Sequence, residues 1–255
     1  MADLYDMHCH LGFAPDVAVL AREGAAAGIG ALACTVAPGE FPALREALAP
    51  YPALHAALGL HPWQLADGAA GEDELALFCE LAGQTPLIGE VGLDFGGTRA
   101  ATRDAQVAAL RRMLAACERF DANLYSVHAV RAAGVALDVL EEAGAFAPHT
   151  GNDVVFHWFS GTSAELTRAR DLGCCFSVGP RMLATRRGRA YARDLPVDRL
   201  LLETDEPARD GEALDGAAWR ARLEEALDAL AAARGVEAAA LAPALAATSE
   251  RLLAR

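Results

Sequence analysis

The strongest constraint on this chain is an alternation. Short apolar runs, many of them β-branched, recur at 4–9, 31–36, 54–60, 86–93, 123–128, 154–159, 174–178 and 200–204. Ala- and Leu-rich stretches of helical pattern follow them at 15–27, 40–49, 72–83, 102–120, 131–143, 162–172, 184–194 and 216–233, with a further one at 236–254. A strand covered on both faces reads as a continuous apolar run, and strands that alternate with helices pair in parallel. Eight such units in about 235 residues match the arithmetic of a closed barrel. A doubly wound open sheet is the alternative, but its Gly-rich dinucleotide turn is missing. The expected fold class is therefore α/β, a (β/α)8 TIM barrel, with residues 1–255 as a single domain.

Composition narrows the chemistry. All 22 basic side chains are arginine. Without lysine there is no Schiff-base chemistry, no Walker-type phosphate loop, and no carbamylated lysine to bridge two metals. Any bridging anion must be a carboxylate. The net charge of −13 argues against a general nucleic-acid coat or a membrane-surface binder. It leaves a nuclease open, because metal ions supply local positive charge. The start MADLYDMHCH has neither a basic nor an apolar leader segment, so no secretory signal is expected. No apolar run approaches the ~18–20 residues of a membrane span. The expected location is the cytoplasm, without a membrane partner, and the six cysteines read as reduced core thiols.

The histidines and the strand-end acids carry the functional signal. His8 and His10 end the first run, Glu90 the fourth, His128 the fifth, His157 the sixth and Asp205 the eighth. In a barrel the carboxyl ends of all strands meet at one mouth. His8 and His10 are two apart, so on a regular strand both point to one side. Four imidazoles and two carboxylates then face one volume, a donor set that suits zinc, manganese, magnesium or a similar divalent ion. They are too many for one open catalytic metal and fit two divalent metal ions sharing Glu90, an arrangement that clamps both oxygens of a phosphoryl displacement. Asp205 could bind a metal and accept the proton of the attacking water.

The blocks DMHCH, GLHPW at 59–63, IGEVGLD at 88–94, the strand-five histidine, FHWFSG and LLLETDEP together resemble the TatD family of metal-dependent hydrolases, within the amidohydrolase-like barrels. They run from residue 6 to 207. The resemblance implies a barrel with two metals, held by His8, His10, Glu90, His128, His157 and Asp205. It also implies DNase or related phosphodiesterase activity on DNA or a nucleotide substrate, through attack by a hydroxide bridging the metals. The segments HWFSGT, GCCFSVGPRML and LPVDRLLLETD are similar to TatD-like proteins of anti-phage operons, which implies defence-operon protein partners. Many relatives read His-Ser-Arg after strand five; here His128-Ala129-Val130 places Arg131 one position later, and the resemblance implies that this arginine touches substrate phosphate.

Further substrate contacts are expected from His61, Trp158 and Arg181. His61 precedes Pro62-Trp63 and could donate to a phosphate. Trp158 could stack on a base or form the pocket wall. Residues 161–200 carry eight arginines against four acids, a local +4 in an otherwise strongly acidic chain. Loops after strand seven of a barrel are frequent phosphate sites, so Arg181 is the expected contact of that group. Asp94 could orient a ligand histidine; His55 and His149 are expected to be structural or exposed. The acidic surface disfavours long contacts along a duplex, so 3'-5' exonuclease-like action at ends, or a single-strand preference, is expected. The rival readings are a phosphomonoesterase, an amide or lactone hydrolase on the same barrel, and a subunit active only within a defence complex.

Overall fold

The computed structural model describes residues 2–255. Strand β1 (Leu4–Cys9) leads through a 3-10 turn to helix α1 (Val17–Ala26), and this strand-then-helix step repeats along the chain. β2 (Ile29–Cys34) is followed by α2 (Phe41–Leu48), and β3 (Leu54–Ala57) by the short α3 (Pro62–Ala66) and by α4 (Glu72–Leu81). Next come β4 (Leu87–Asp94), α5 (Arg103–Ala116), β5 (Leu124–Val130), α6 (Ala133–Glu142), β6 (Asp153–His157) and α7 (Ser163–Asp171). β7 (Cys175–Val178) precedes α8 (Pro180–Leu183) and α9 (Arg186–Asp194), and β8 (Leu200–Leu202) precedes α10 (Gly216–Arg234) and α11 (Ala238–Leu253).

Neighbouring strands pair in parallel as β1-β2-β3 and as β4-β5-β6-β7-β8. Backbone hydrogen bonds join these two ladders at both seams. Between β3 and β4, Leu58 N–H donates to Leu87 O and Gly89 N–H to Leu58 O, at 3.0 and 2.9 Å. Between β8 and β1, Asp205 N–H donates to His8 O and His10 N–H to Glu206 O, both at 2.9 Å. β3 ends at Ala57, before position 60, and Gly59 just beyond it lies close against the backbone of the neighbouring elements. A Cβ there would stand 1.9 Å from Thr35 O and 2.4 Å from the Glu90 nitrogen, so only glycine fits.

Alternation along each strand sorts the side chains into two layers. Met7, Leu32, Ala57, Leu124, Val155, Cys175 and Leu201 form an inner core, whose floor is closed by Leu252 and Leu253 of α11. The other strand positions, such as Leu4, Val127, Phe156 and Leu200, pack outward against the helices. Among the buried polar side chains, His8, His10, His61, Glu90, Asp94, His128, His157 and Glu203 gather at or just beyond the carboxyl ends of the strands.

Helix starts follow ordinary chemistry. Asp16, Thr162 and Asp215 cap α1, α7 and α10 through bonds to Val19, Glu165 and Ala218 nitrogens. No single helix among the described residues is long and apolar enough to cross a membrane. All six cysteines are free, and five of them are buried.

Candidate metal centre

Two register shifts build the site. In β1, Met7 already points into the barrel, so strict alternation would turn His8 outward. The three residue steps from Asp6 to Cys9 of β1 instead span two steps of β2, from Ala31 to Ala33. The extra residue lets His8 follow Met7 inward. β4 repeats the device: Ile88 to Val91 spans Tyr125 to Val127 of β5. Gly89 and Glu90 then both face the interior, and a Cβ on Gly89 would come within 2.9 Å of Ser126 Cβ and Cys34 Sγ. The expected shared direction of His8 and His10 is met, with Cys9 turned outward between them and His10 one residue past the strand; the bulge accounts for the adjacent Met7 and His8 both facing inward.

Glu90 is the centre of the cluster. Its Oε2 is 3.3 Å from His8 Nε2 and 3.4 Å from His10 Nε2. Its Oε1 is 2.7 Å from both His128 Nδ1 and His157 Nε2, and 3.1 Å from His61 Nε2. Asp205 Oδ1 is 3.3 Å from His10 Nε2, and its Oδ2 accepts from Arg181 at 3.2 Å. The rings of His8 and His157 stack with centroids 3.8 Å apart. Thus the two Glu90 oxygens face different histidine pairs.

The outer nitrogen of each of those four histidines faces an oxygen. His8 Nδ1 is 2.7 Å from Ser126 Oγ, and His10 Nδ1 is 3.1 Å from Cys34 O. His128 Nε2 is 3.5 Å from Asp94 Oδ2, and His157 Nδ1 is 4.0 Å from Glu203 Oε2. The hydrogen bonds of His8 and His10 fix those rings and leave the inner nitrogen free for a cation, whereas His128 Nε2 and His157 Nδ1 stand beside carboxylate oxygens without a hydrogen bond. His61 is different. Its Nδ1 accepts the Trp63 backbone N–H at 3.0 Å. A backbone N–H can only donate, so in the neutral ring the proton is on Nε2. His61 therefore presents a donor to the site where the others present lone pairs.

The electrostatics match. Burial opposes charge on Glu90, but the surrounding imidazoles of His61, His157 and His8 outweigh it and hold the carboxyl well below the usual range. Burial likewise opposes ionisation of Asp205 and is outweighed by His10 and the other imidazoles. Burial and the neighbouring His157 push His8 down to about 4. His10 and His128 move the other way, to about 10 and about 9, because Asp205 with Glu90 and Asp94 with Glu90 overcome their desolvation. His8 Nε2 is buried with no hydrogen-bond partner, although it lies among acceptors and lone pairs. A divalent cation fits this set: it would satisfy that nitrogen and neutralise both carboxylates.

The site opens into a cavity of about 460 Å³, walled by Trp63, Trp158 and Arg181 above the histidines. Of the eight arginines in 161–200, Arg181 alone lines it. Arg168 pairs with Asp138 and Glu141, Arg170 with Asp171 and Arg193 with Asp194; Arg189 caps the carbonyls of Leu183 and Ala184. Arg131 is exposed, has a left-handed backbone with φ of 53°, and is not part of the cavity wall. His55 lies at the start of β3, at the opposite end of the strand from the mouth.

The pattern described as TatD related DNase matches residues 5–254. The chain belongs to that family. TatD relatives include the deoxyribonuclease TATDN3 of Homo sapiens, 28% identical over 225 residues that cover 80% of this chain and 78% of the relative. A metal-dependent hydrolase of Escherichia coli, YjjV, is 32% identical over 211 residues, covering 79% and 78%. The crystal structure of YjjV, a TatD homologue, superposes with a TM-score of 0.80 over 98% of each chain at 26% identity. A TatD family hydrolase from Entamoeba histolytica has the same fold, with a TM-score of 0.78 at 14% identity. The fold is thus the TIM barrel of the TatD hydrolases, and the chain is a metal-dependent hydrolase acting on ester bonds.

Three residues of this TatD site escaped the sequence reading. Glu203 is buried inside the barrel, where Ser177 Oγ donates to it and Trp158 N–H donates to its Oε1 at 3.1 Å. Burial, then the nearby Asp205, pushes its carboxyl well above the usual range. Ser126 backs His8, and Trp63 donates its indole N–H to Asp94. Glu203 and Ser126 had a legible signal: each is a polar residue two positions before an expected ligand, one within β5 and one just past the all-leucine β8.

Proposed function

We propose that this TatD protein is a two-metal phosphodiesterase acting on DNA, with His8, His10, Glu90, His128, His157 and Asp205 as metal ligands. The observation that carries the reading is Glu90: one oxygen faces His8 and His10 and the other faces His128 and His157. A carboxylate so placed suits the bridge that a lysine-free chain must find elsewhere. Bound divalent ions supply Lewis acidity and lower the pKa of coordinated water.

The remaining chemistry belongs to the side chains. Asp205 stays ionised and partly exposed at the cavity floor, so its carboxylate can take the proton of the attacking water. His61 donates from Nε2 to a non-bridging phosphate oxygen. The Arg181 guanidinium, beside Asp205, binds the phosphate as charge builds there. Duplex DNA has no long basic surface to lie on, so cleavage is directed to ends or single strands.

The test couples metal analysis to hydrolysis. Bis-p-nitrophenyl phosphate, p-nitrophenyl phosphate, a lactone, and single-stranded, duplex and end-blocked oligonucleotides form the panel. The expected result is about two metals per chain, diester cleavage above the others, and loss of more than about 100-fold in Glu90→Gln and Asp205→Asn. Full activity in both variants, or preferred cleavage at internal duplex sites, defeats the reading.

A further inference from the structure

A closed circuit of polar contacts leaves Glu90 and returns to it. Glu90 Oε1 stands 2.7 Å from His128 Nδ1, and the far nitrogen of that ring, Nε2, stands 3.5 Å from Asp94 Oδ2. The same Asp94 oxygen accepts the indole N–H of Trp63. The backbone N–H of Trp63 donates to His61 Nδ1 at 3.0 Å, and His61 Nε2 comes back to Glu90 Oε1 at 3.1 Å. The rings of the circuit also pack together: the His61 centroid lies 4.6 Å from that of His128 and 4.7 Å from that of Trp63.

Asp94, the buried outer corner of this circuit, is held from every side. Its Oδ1 accepts the Gly96 N–H at 2.6 Å. Its backbone is bracketed by the buried Gln106, whose Oε1 accepts the Asp94 N–H at 2.8 Å and whose Nε2 donates to the Asp94 carbonyl at 2.9 Å. A ligand histidine meets a cation with a lone pair, so for His128 that lone pair is on Nδ1 and the ring proton is on Nε2, facing Asp94. His61 is the reverse, because Trp63 occupies its Nδ1 and its proton points at Glu90. Two imidazoles therefore meet one Glu90 oxygen in opposite senses. Asp94 supports both, His128 directly and His61 through Trp63.

We infer that Asp94 is a positioning residue of the metal centre, holding His128 as a ligand and α3, with His61, as a donor on the same oxygen of Glu90. This role rests on the two-metal reading above and adds a residue that touches neither metal nor substrate. Asparagine keeps the shape of the side chain but not its pattern of acceptors. Its NH2 would face either the Gly96 N–H, which cannot accept, or the pair formed by Trp63 Nε1 and His128 Nε2. In the second case it draws the His128 lone pair outward and the proton to Nδ1.

The test combines zinc binding, measured by competition with a chromogenic chelator, with amide hydrogen exchange at saturating zinc. In Asp94→Asn one of the two zinc ions is expected to bind about 10–100-fold more weakly while the other keeps its wild-type affinity. The amides of Asp67 and Ala70, which donate to the Trp63 and Gln64 carbonyls, are expected to exchange faster. Trp63→Phe removes the indole N–H but leaves the carboxylate facing His128. It is expected to speed the same exchange and to keep both zinc affinities. In the zinc-loaded wild type with isotopically labelled histidine, nuclear magnetic resonance is expected to find the His128 proton on Nε2. Should circular dichroism show that Asp94→Asn fails to fold, Trp63→Phe and the His128 tautomer decide.

Unchanged zinc affinities in Asp94→Asn, or both weakened alike, overturn this role. So do unchanged exchange in either variant, a weakened zinc ion in Trp63→Phe, or a His128 proton on Nδ1. Fewer than two zinc ions on the wild type defeats the two-metal reading itself, and the role of Asp94 falls with it.

Discussion

Trp219 Nε1–H donates to Asp6 Oδ2 at 2.7 Å, joining residues 213 positions apart in the chain. The same oxygen accepts from Thr204 Oγ1 at 2.6 Å, and Asp6 Oδ1 accepts from the Thr204 and His8 nitrogens at 3.0 and 3.3 Å. One buried carboxylate thus ties β1, the end of β8 and α10 together beside the first metal-ligand candidate. Asp6→Asn turns an amide NH2 either towards the Trp219 indole N–H or towards the Thr204 and His8 backbone N–H groups, none of which can accept. It is expected to lower the unfolding free energy by about 2–3 kcal/mol, the cost of losing hydrogen bonds to a buried charge. Urea denaturation checks this, and a change below about 0.5 kcal/mol would show that the junction is supported elsewhere.

His61 separates a donor role from a ligand role. With its Nδ1 engaged by Trp63 N–H, its Nε2 carries the proton. His61→Ala is expected to keep the full complement of metal while diester cleavage drops about 100-fold, the usual effect of losing one donor to a developing anion. Loss of a metal ion in this variant would make His61 a ligand after all.

The oxygens behind the histidines set metal affinity. Ser126→Ala removes the partner of His8 Nδ1, and Glu203→Gln alters the partner nearest His157 Nδ1. Each substitution is expected to weaken metal binding about 10–100-fold, read by competition with a chromogenic chelator. Wild-type affinity in both variants would mean that packing alone orients the rings.

Chelation has a structural consequence. Without cations, Glu90 and Asp205 rely on imidazole protons for compensation, and His8 Nε2 has no partner. A ligand that binds only the folded state adds stability by mass action. Removal of metal is expected to lower the melting temperature by at least about 5 °C, since roughly 1–2 kcal/mol corresponds to that shift at this size. Restoring zinc or manganese should recover it, and an unchanged transition would count against a folded-state metal site.

A pH effect is expected from His55, far from the mouth. Burial lowers its pKa below the ordinary 6.5. The folded state therefore resists protonation that the unfolded chain accepts. Above pH 6.5 both are neutral and stability is unaffected. As the pH falls below 6.5, stability is lost, until the folded state also binds the proton. The urea midpoint of the wild type is expected to fall more between pH 7 and 5 than that of His55→Asn. Parallel slopes in the two proteins would assign the dependence to other groups.

Much of this was legible because strands buried on both faces leave a run that periodicity cannot hide. The order of runs and helical stretches matches the observed elements, and the runs end where the ligand candidates lie. What escaped reading is of two kinds. Register shifts at Asp6–Cys9 and Ile88–Val91 have no local signature, since an extra strand residue is defined only by its partner. The roles of Trp63, Ser126 and Glu203 depend on residues from other strands. The +4 of segment 161–200 overstated its reach, because most of those arginines pair with acids or cap helix ends and only Arg181 enters the cavity.

Among the described residues three non-glycine ones adopt positive φ, and all lie just past a strand at the mouth: Arg131, Trp158 and Asp205. Each would be relieved by glycine. Selection for heat resistance alone should therefore drive Trp158 towards glycine, raising the melting point while erasing one wall of the cavity. Laboratory evolution of this barrel under thermal pressure without an activity screen would be expected to make its most durable descendants its least discriminating ones.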